Sequence, residues 1–268
     1  MVTVKRLLRL FLMVLALWGM GFGNSSAQNK NGVGVILLHG KAGSPRGHIA
    51  KLAQALREHG YEVSTPTMPW ATGEIYSASF KECLAMIGEE VKGLRETGVK
   101  TIVIGGHSLG AHMALAYAAA DDTLAGVILL APGHYPEAYA ARKKTVADSL
   151  ENAKELMDRG AGGEKVYFND MDNGEEITVL AKPKNYLSFL DPDGPGRMSA
   201  AVQSFKHSMP VLLIVEKNPK NDPKETIYNR LPKNEKNRFV QSGVGHMEVP
   251  DASTGEVLSW LKSLALSN

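Results

Sequence analysis

The segment Gly106-His107-Ser108-Leu109-Gly110 follows the apolar run "TIVI" and precedes a small-residue stretch, "AHMALAYAAA". A serine becomes a nucleophile when a sharp strand-to-helix turn pushes its hydroxyl out of the backbone trace, close to a base. Such a turn crowds the residues two before and two after it, and glycine at both places relieves the crowding. Gly106 and Gly110 occupy those places, so Ser108 is the expected nucleophile. The bare five-residue pattern is weak evidence alone; the strand before it and the helix after it give it weight.

Acyl transfer also needs preset donors for the oxyanion of a tetrahedral intermediate. The backbone N–H of Leu109, at the start of the following helix, supplies one. An earlier strand ends in "LLHGKAGS", 37–44, where a His-Gly turn can aim a second N–H at the same point. Lys41 is the expected donor, with Ala42 next, and the lysine side chain is not expected to take part. The base must be a histidine. Of the eight, His39, His107 and His112 belong to the motifs above, while His246 in "SGVGHMEVPD" lies between the last expected strand and the final helix. That loop falls at the sheet end that carries Ser108, so His246 is the expected base, ahead of His134 and His207.

Other chemistries fit poorly. Cys83 is the single cysteine and lies in a helical pattern, where a small buried apolar role is expected. His107 and His112 are five apart and do not align as metal ligands. There is no phosphate-loop lysine motif and no dinucleotide fingerprint. No cofactor and no metal are expected.

These residues need a scaffold. The chain has 268 residues, 44% hydrophobic and 22% charged, with a formal net charge of +2. This suits one sizeable domain and gives no polyanion-binding surface, so no nucleic-acid partner is expected. The densest basic run, "ARKKT" at 141–145, reads as a solvated helix face. Lys5, Arg6 and Arg9 precede an apolar stretch and then Ser25-x-Ala27, the pattern of a secretory signal peptide cut after Ala27. The apolar run is short for a membrane span. Its removal takes away three positive charges and no negative ones, which leaves −1 from +2. The expected product is an exported protein, periplasmic or secreted, with residues 28–268 as its domain.

From residue 33 short apolar runs alternate with amphipathic ones. "VGVILLHG", "YEVSTPTMP", "KTIVIGG" and "LAGVILLAPG" read as strands; "HIAKLAQALREHG", "SFKECLAMIGEEVKGLRETG" and "LGAHMALAYAAA" read as helices. Strict alternation with apolar strands implies a mostly parallel sheet between two helical layers, a three-layer α/β/α fold. After Pro132 the rhythm breaks. The interval 132–209, before the strand "PVLLIV", is too long for a plain crossover. It reads as a cap-like insertion with one long helix over "AYAARKKTVADSLENAKELMDRG", a hairpin around "NDMDNG", the aromatic stretch "NYLSFL" and the helix "MSAAVQSFKH". The alternation resumes with "PVLLIV", a polar helix near 223–231, the strand "NRFVQSG" and a last helix.

Taken in order, "LLHGKAGS", "GGHSLGAH" and "GVGHMEVP" on these elements resemble the α/β-hydrolase superfamily, its esterases and lipases above all, over essentially all of 33–266. The resemblance implies the order Ser, acid, His, with the acid after the strand "PVLLIV". Here the sequence departs from the pattern and reads "EKNPKNDPKE": Asn218 stands about where an aspartate is usual. An amide cannot stabilise an imidazolium. Asp222 is therefore the first choice, since a loop carboxylate can swing under His246; Glu216 and then Asp191 follow, and Glu248 is expected on the surface. The implied activity is hydrolysis of a carboxylic ester or thioester through an acyl-enzyme. The substrate is a small ester or acyl molecule, shaped by insertion aromatics among Tyr135, Tyr139, Tyr167, Phe168, Tyr186 and Phe189. Acyl transfer, or a non-catalytic binding role if Asn218 is the third member, are the alternatives.

Overall fold

The computed structural model describes residues 32–265; the expected leader at 1–27 lies outside them. Six strands form one sheet: β1 (Val33–Leu38), β2 (Glu62–Ser64), β3 (Thr101–His107), β4 (Gly126–Leu130), β7 (Val211–Val215) and β8 (Arg238–Gln241). Their order is β2-β1-β3-β4-β7-β8, and every neighbouring pair is parallel. Strand side chains alternate between faces, so an apolar run on a doubly covered sheet feeds two cores. Val33, Val35 and Leu37 pack with Leu52, Leu56 and Trp260 on one face. Ile36 and Leu38 pack with Ile87, Met113 and Phe189 on the other.

Helices α1 (Ala50–Glu58), α2 (Phe80–Glu96) and α3 (Leu109–Ala118) provide the crossovers. Ser79 and Glu82 close a capping box at the start of α2, which satisfies two of the backbone N–H groups a helix start leaves open. Cys83 is buried on this helix, and burial pushes its thiol up to about 12. It is a packing residue.

The interval between β4 and β7 holds helices α4 (Pro136–Arg142) and α5 (Lys144–Asp158), strands β5 (Val166–Asp172) and β6 (Glu175–Ala181), and helices α6 (Pro183–Leu190) and α7 (Met198–Ser204). Three details differ from the sequence expectations. The long helix is two, broken at Lys143, whose backbone is extended (φ −136°, ψ 112°). The hairpin turn is only Asn173-Gly174, because β5 pairs through Asp172↔Glu175. Both turn residues have positive φ, 47° and 88°, as a two-residue turn matched to strand twist requires. "NYLSFL" is helical and its aromatics face inward. The polar helix near 223–231 is also shorter than its pattern: α8 (Pro223–Thr226), then a single 3₁₀ turn at Tyr228–Arg230. Beyond β8 come the short α9 (Val249–Ala252) and the last helix, α10 (Thr254–Ala265).

One buried ion pair fastens the insertion to the sheet. Lys41, just after β1, donates from Nζ to Asp170 Oδ2 of β5 at 2.6 Å and to the Met171 carbonyl at 2.8 Å. The side chains are 3% and 0% exposed. Asp170 also accepts from the Tyr76 hydroxyl at 2.8 Å and from the Met171 N–H at 2.6 Å, so both partners are multiply bonded. The Lys41 side chain, expected to be incidental, is thus a structural centre. Removing one member of such a pair strands the other's charge, and Asp170→Ala should cost about 3–5 kcal/mol in urea unfolding. Lys41→Met combined with Asp170→Leu should recover most of that loss. A loss below about 1 kcal/mol in the single variant would show that the pair does not bear on stability.

Candidate active site

Ser108 sits between β3 and α3 with φ 54° and ψ −118°, a strained conformation for a residue with a side chain. The turn closes because Gly106 and Gly110 let backbones meet. A Cβ on Gly106 would lie 2.4 Å from the Gly110 carbonyl carbon, and one on Gly110 would lie 2.4 Å from the Leu38 oxygen. The strain is held by the Ser108 N–H donating to the Leu130 carbonyl at 3.0 Å. Gly133, on the loop after β4, flanks the hydroxyl: a Cβ there would stand 2.7 Å from Ser108 Oγ. Nothing in the sequence singled out Gly133, since its role is a close approach between distant segments.

His246 and Glu216 form a pair across the ends of β7 and β8. His246 Nδ1 lies 3.3 Å from Glu216 Oε1. A carboxylate only accepts, so Nδ1 carries the hydrogen and Nε2 is left as the free basic nitrogen. Burial pushes the Glu216 carboxyl up, but the hydrogen bond and charge of His246 outweigh it and hold the group below the usual range. It is ionised at neutral pH. His107, beside Ser108, donates from Nε2 to the His246 carbonyl at 3.0 Å and ties the histidine loop to β3. Burial first, then the nearby His246, pushes His107 down to about 3, so it stays neutral.

The expected acid is displaced by this geometry. Asp222 caps α8: it accepts from the Glu225 N–H at 3.3 Å and lies in an exposed turn. Glu216 needs no loop, because the residue after β7 already reaches His246. Asn218 lines the cavity without bonding the histidine. Asp191 accepts from its own turn and faces Lys154, and Glu248 is exposed. Of the rival bases, His134 donates from Nε2 to the Phe189 carbonyl at 2.9 Å and is buried, and His207 lies against Phe205.

The two expected oxyanion donors stay open. Among the described residues no acceptor takes the N–H of Leu109 or of Lys41, whereas the Ala42 N–H is used by the Trp70 carbonyl at 2.9 Å. His39 shapes this loop. Its Nδ1 donates to the Gly40 carbonyl at 2.8 Å, its Nε2 accepts from the Met68 N–H at 3.1 Å, and its carbonyl accepts from Trp70 Nε1 at 2.8 Å. Ser108, Leu109, Lys41, Glu216 and His246 all line one cavity of ≈ 530 Å³, within the range of small-molecule sites. Of the six insertion aromatics only Tyr135 and Tyr139 line it; Phe168, Tyr186 and Phe189 are core, and Tyr167 is exposed. Among the described residues no group of three or more histidine, cysteine, aspartate or glutamate side chains could hold a metal ion. No helix there is long and apolar enough to cross a membrane.

The family model for the alpha/beta hydrolase family matches residues 35–256. The chain belongs to that family. No curated protein sequence matches it. As an α/β-hydrolase it is similar in fold to the monoacylglycerol lipase of Paleococcus ferrophilus, with 21% identity over 86% of this chain and 94% of that one and a TM-score of 0.63. A soluble variant of the Saccharomyces cerevisiae monoglyceride lipase gives 16%, 88%, 89% and 0.61. Est1E of Butyrivibrio proteoclasticus, solved with ferulic acid bound, gives 19%, 89%, 92% and 0.58. At these identities the likeness is one of fold.

Two outcomes follow for this hydrolase site. Gly133→Ala should leave the fold intact, yet slow the reaction of Ser108 with a fluorophosphonate on the order of 10²-fold; an unchanged rate would show that Gly133 does not border the hydroxyl. The second concerns acid. Burial pushes His112, on the helix that follows Ser108, down to about 4. Below the ordinary histidine value of 6.5 the unfolded chain therefore takes up a proton at His112 that the folded chain refuses. Stability should fall as pH drops from 6.5 toward 4. His112→Leu should reduce that slope by about 1.4 kcal/mol per pH unit, read from urea unfolding at several pH values; an unchanged slope would contradict it.

Proposed function

We propose that the protein is a serine hydrolase of carboxylic esters or thioesters. The reading rests on the Glu216–His246 pair, which leaves a basic Nε2 in the same cavity as the strained Ser108. Ser108 Oγ attacks the substrate carbonyl while His246 Nε2 takes its proton. The developing imidazolium is stabilised by the Glu216 carboxylate. The oxyanion is received by the N–H groups of Leu109 and Lys41. His246 then gives the proton to the departing alcohol or thiol. Water, deprotonated by the same nitrogen, attacks the acyl-enzyme, and the tetrahedral intermediate expels Ser108, which regains its proton from His246.

Two N–H donors without partners support this division of labour, because donors that need no rearrangement stabilise charge at least cost. A carboxylate on His246 removes the motive for a non-catalytic reading, which depended on Asn218 as the third member. The test is hydrolysis of a series of p-nitrophenyl esters together with fluorophosphonate labelling. Ser108→Ala should abolish both. Glu216→Gln should lower kcat about 10²–10⁴-fold, and Asp222→Asn should stay within about twofold of the native rate, since it alters one helix cap. Collapse in Asp222→Asn with full activity in Glu216→Gln would reverse the assignment of the acid.

A further inference from the structure

We propose that the substrate of this site carries an anionic group, a carboxylate or a phosphate, on the part remote from the scissile carbonyl. The inference rests on the hydrolase reading above and assigns its substrate class. It comes from the charges around the cavity mouth. Of the inner ones, Lys41 and Asp170 form a buried ion pair, while Glu216 stands half-buried beside His246, which is charged only when protonated. The lining adds Arg142, Lys143, Lys217 and Lys220, four cations against the two carboxylates of Asp172 and Glu216.

The four cations come from two walls far apart in sequence. Arg142 and Lys143 lie at the break between α4 and α5, where the extended backbone of Lys143 interrupts the helix. Lys217 and Lys220 lie on the loop after β7. The walls meet: Arg142 Nη2 donates to Asn221 Oδ1 at 2.9 Å, a neutral partner that leaves the guanidinium charge uncancelled. Lys220 Nζ reaches over the hairpin turn, where a Cβ on Gly174 would be 2.5 Å from it. Among the described residues none of the four has a carboxylate within ion-pair distance, although neighbouring Lys144 has one in Asp148. Asp172 offsets at most one of the four, and burial pushes its carboxyl up. The basic run read from the sequence as a solvated face thus borders the catalytic cavity.

An excess of one charge sign on the walls of a cleft concentrates and orients substrates of the opposite sign, by factors of about 10–10³ that decline with salt. Loop lysines and an arginine suit an anion held partly in water, since their positions allow several geometries.

The experiment compares two matched ester pairs at low ionic strength. Mono-p-nitrophenyl adipate against p-nitrophenyl hexanoate puts a carboxylate on the acyl side. 4-Acetoxyphenyl phosphate against 4-acetoxyanisole puts a phosphate on the alcohol side. The charged member of at least one pair should have a kcat/KM about tenfold higher or more, and the pair that shows it identifies the anion and its side. Molar salt should bring that ratio toward one, as should Lys217→Gln with Lys220→Gln, and Arg142→Gln with Lys143→Gln. The ratio is taken within each variant, so partial loss of folded protein cancels. Protection of Ser108 from fluorophosphonate by each ester gives the same comparison without turnover. Ratios at or below one in the native protein, or a preference unchanged in both variants, would overturn the proposal. Turnover of neutral esters with labelled Ser108 and no charge preference would sink this inference alone. Absence of turnover and of labelling would sink the hydrolase reading with it.

Discussion

Lys41 and Asp170 hold together the two parts of the chain that make the site. Each charge loses several kcal/mol of hydration on burial. The loss is offset only because the contact is short and the remaining bonding capacity is filled by the Met171 carbonyl, the Met171 N–H and the Tyr76 hydroxyl. The geometry is therefore exacting, and it registers one loop against one strand. Lys41 lines the cavity of Ser108 from a loop whose side chain is anchored in the insertion. The proposed oxyanion donor and the cavity wall share this single anchor.

Around that anchor the site is built from neutral or compensated groups. His39, His107, His112 and His134 all have values depressed by burial, so none adds a positive charge beside Ser108 at neutral pH. His107 and His39 act through their hydrogen bonds. One holds the His246 loop, the other the loop that carries Lys41. Among the described residues the carboxylates that share this cavity with Ser108 are Glu216, bonded to His246, and Asp172.

What the sequence could and could not reveal follows from the range of each interaction. The elbow at Ser108, the parallel sheet and His246 are local signals: glycine spacing, apolar runs and a loop position before the last helix. The open N–H of Lys41 was legible too, from the His-Gly turn. The acid was not. A family pattern pointed into the loop toward Asp222, but Glu216 already stands at a strand end, and its reach depends on how β7 pairs with β8. Nor could pattern show that Lys41 would find Asp170 across 129 positions, or that Gly133 would meet Ser108. Those contacts exist only after the insertion has packed. The split at Lys143 likewise escaped a helical period that runs through it, because the interruption is one residue long.

Glu216 follows β7 directly, and its neighbour Val215 pairs with Gln241 of β8. Glu216 is thus placed by sheet register, and the next residue, Lys217, is tied to the histidine loop through its N–H and the Val244 carbonyl at 2.8 Å. In a hydrolase whose acid sits out on this loop, any change of loop length or sequence risks the chemistry. Here the two are separable. Under the proposed mechanism the loop beyond Lys217 can exchange residues while the Glu216–His246 pair stays where the strand puts it, so drift there can retune what the protein accepts without first passing through an inactive ancestor.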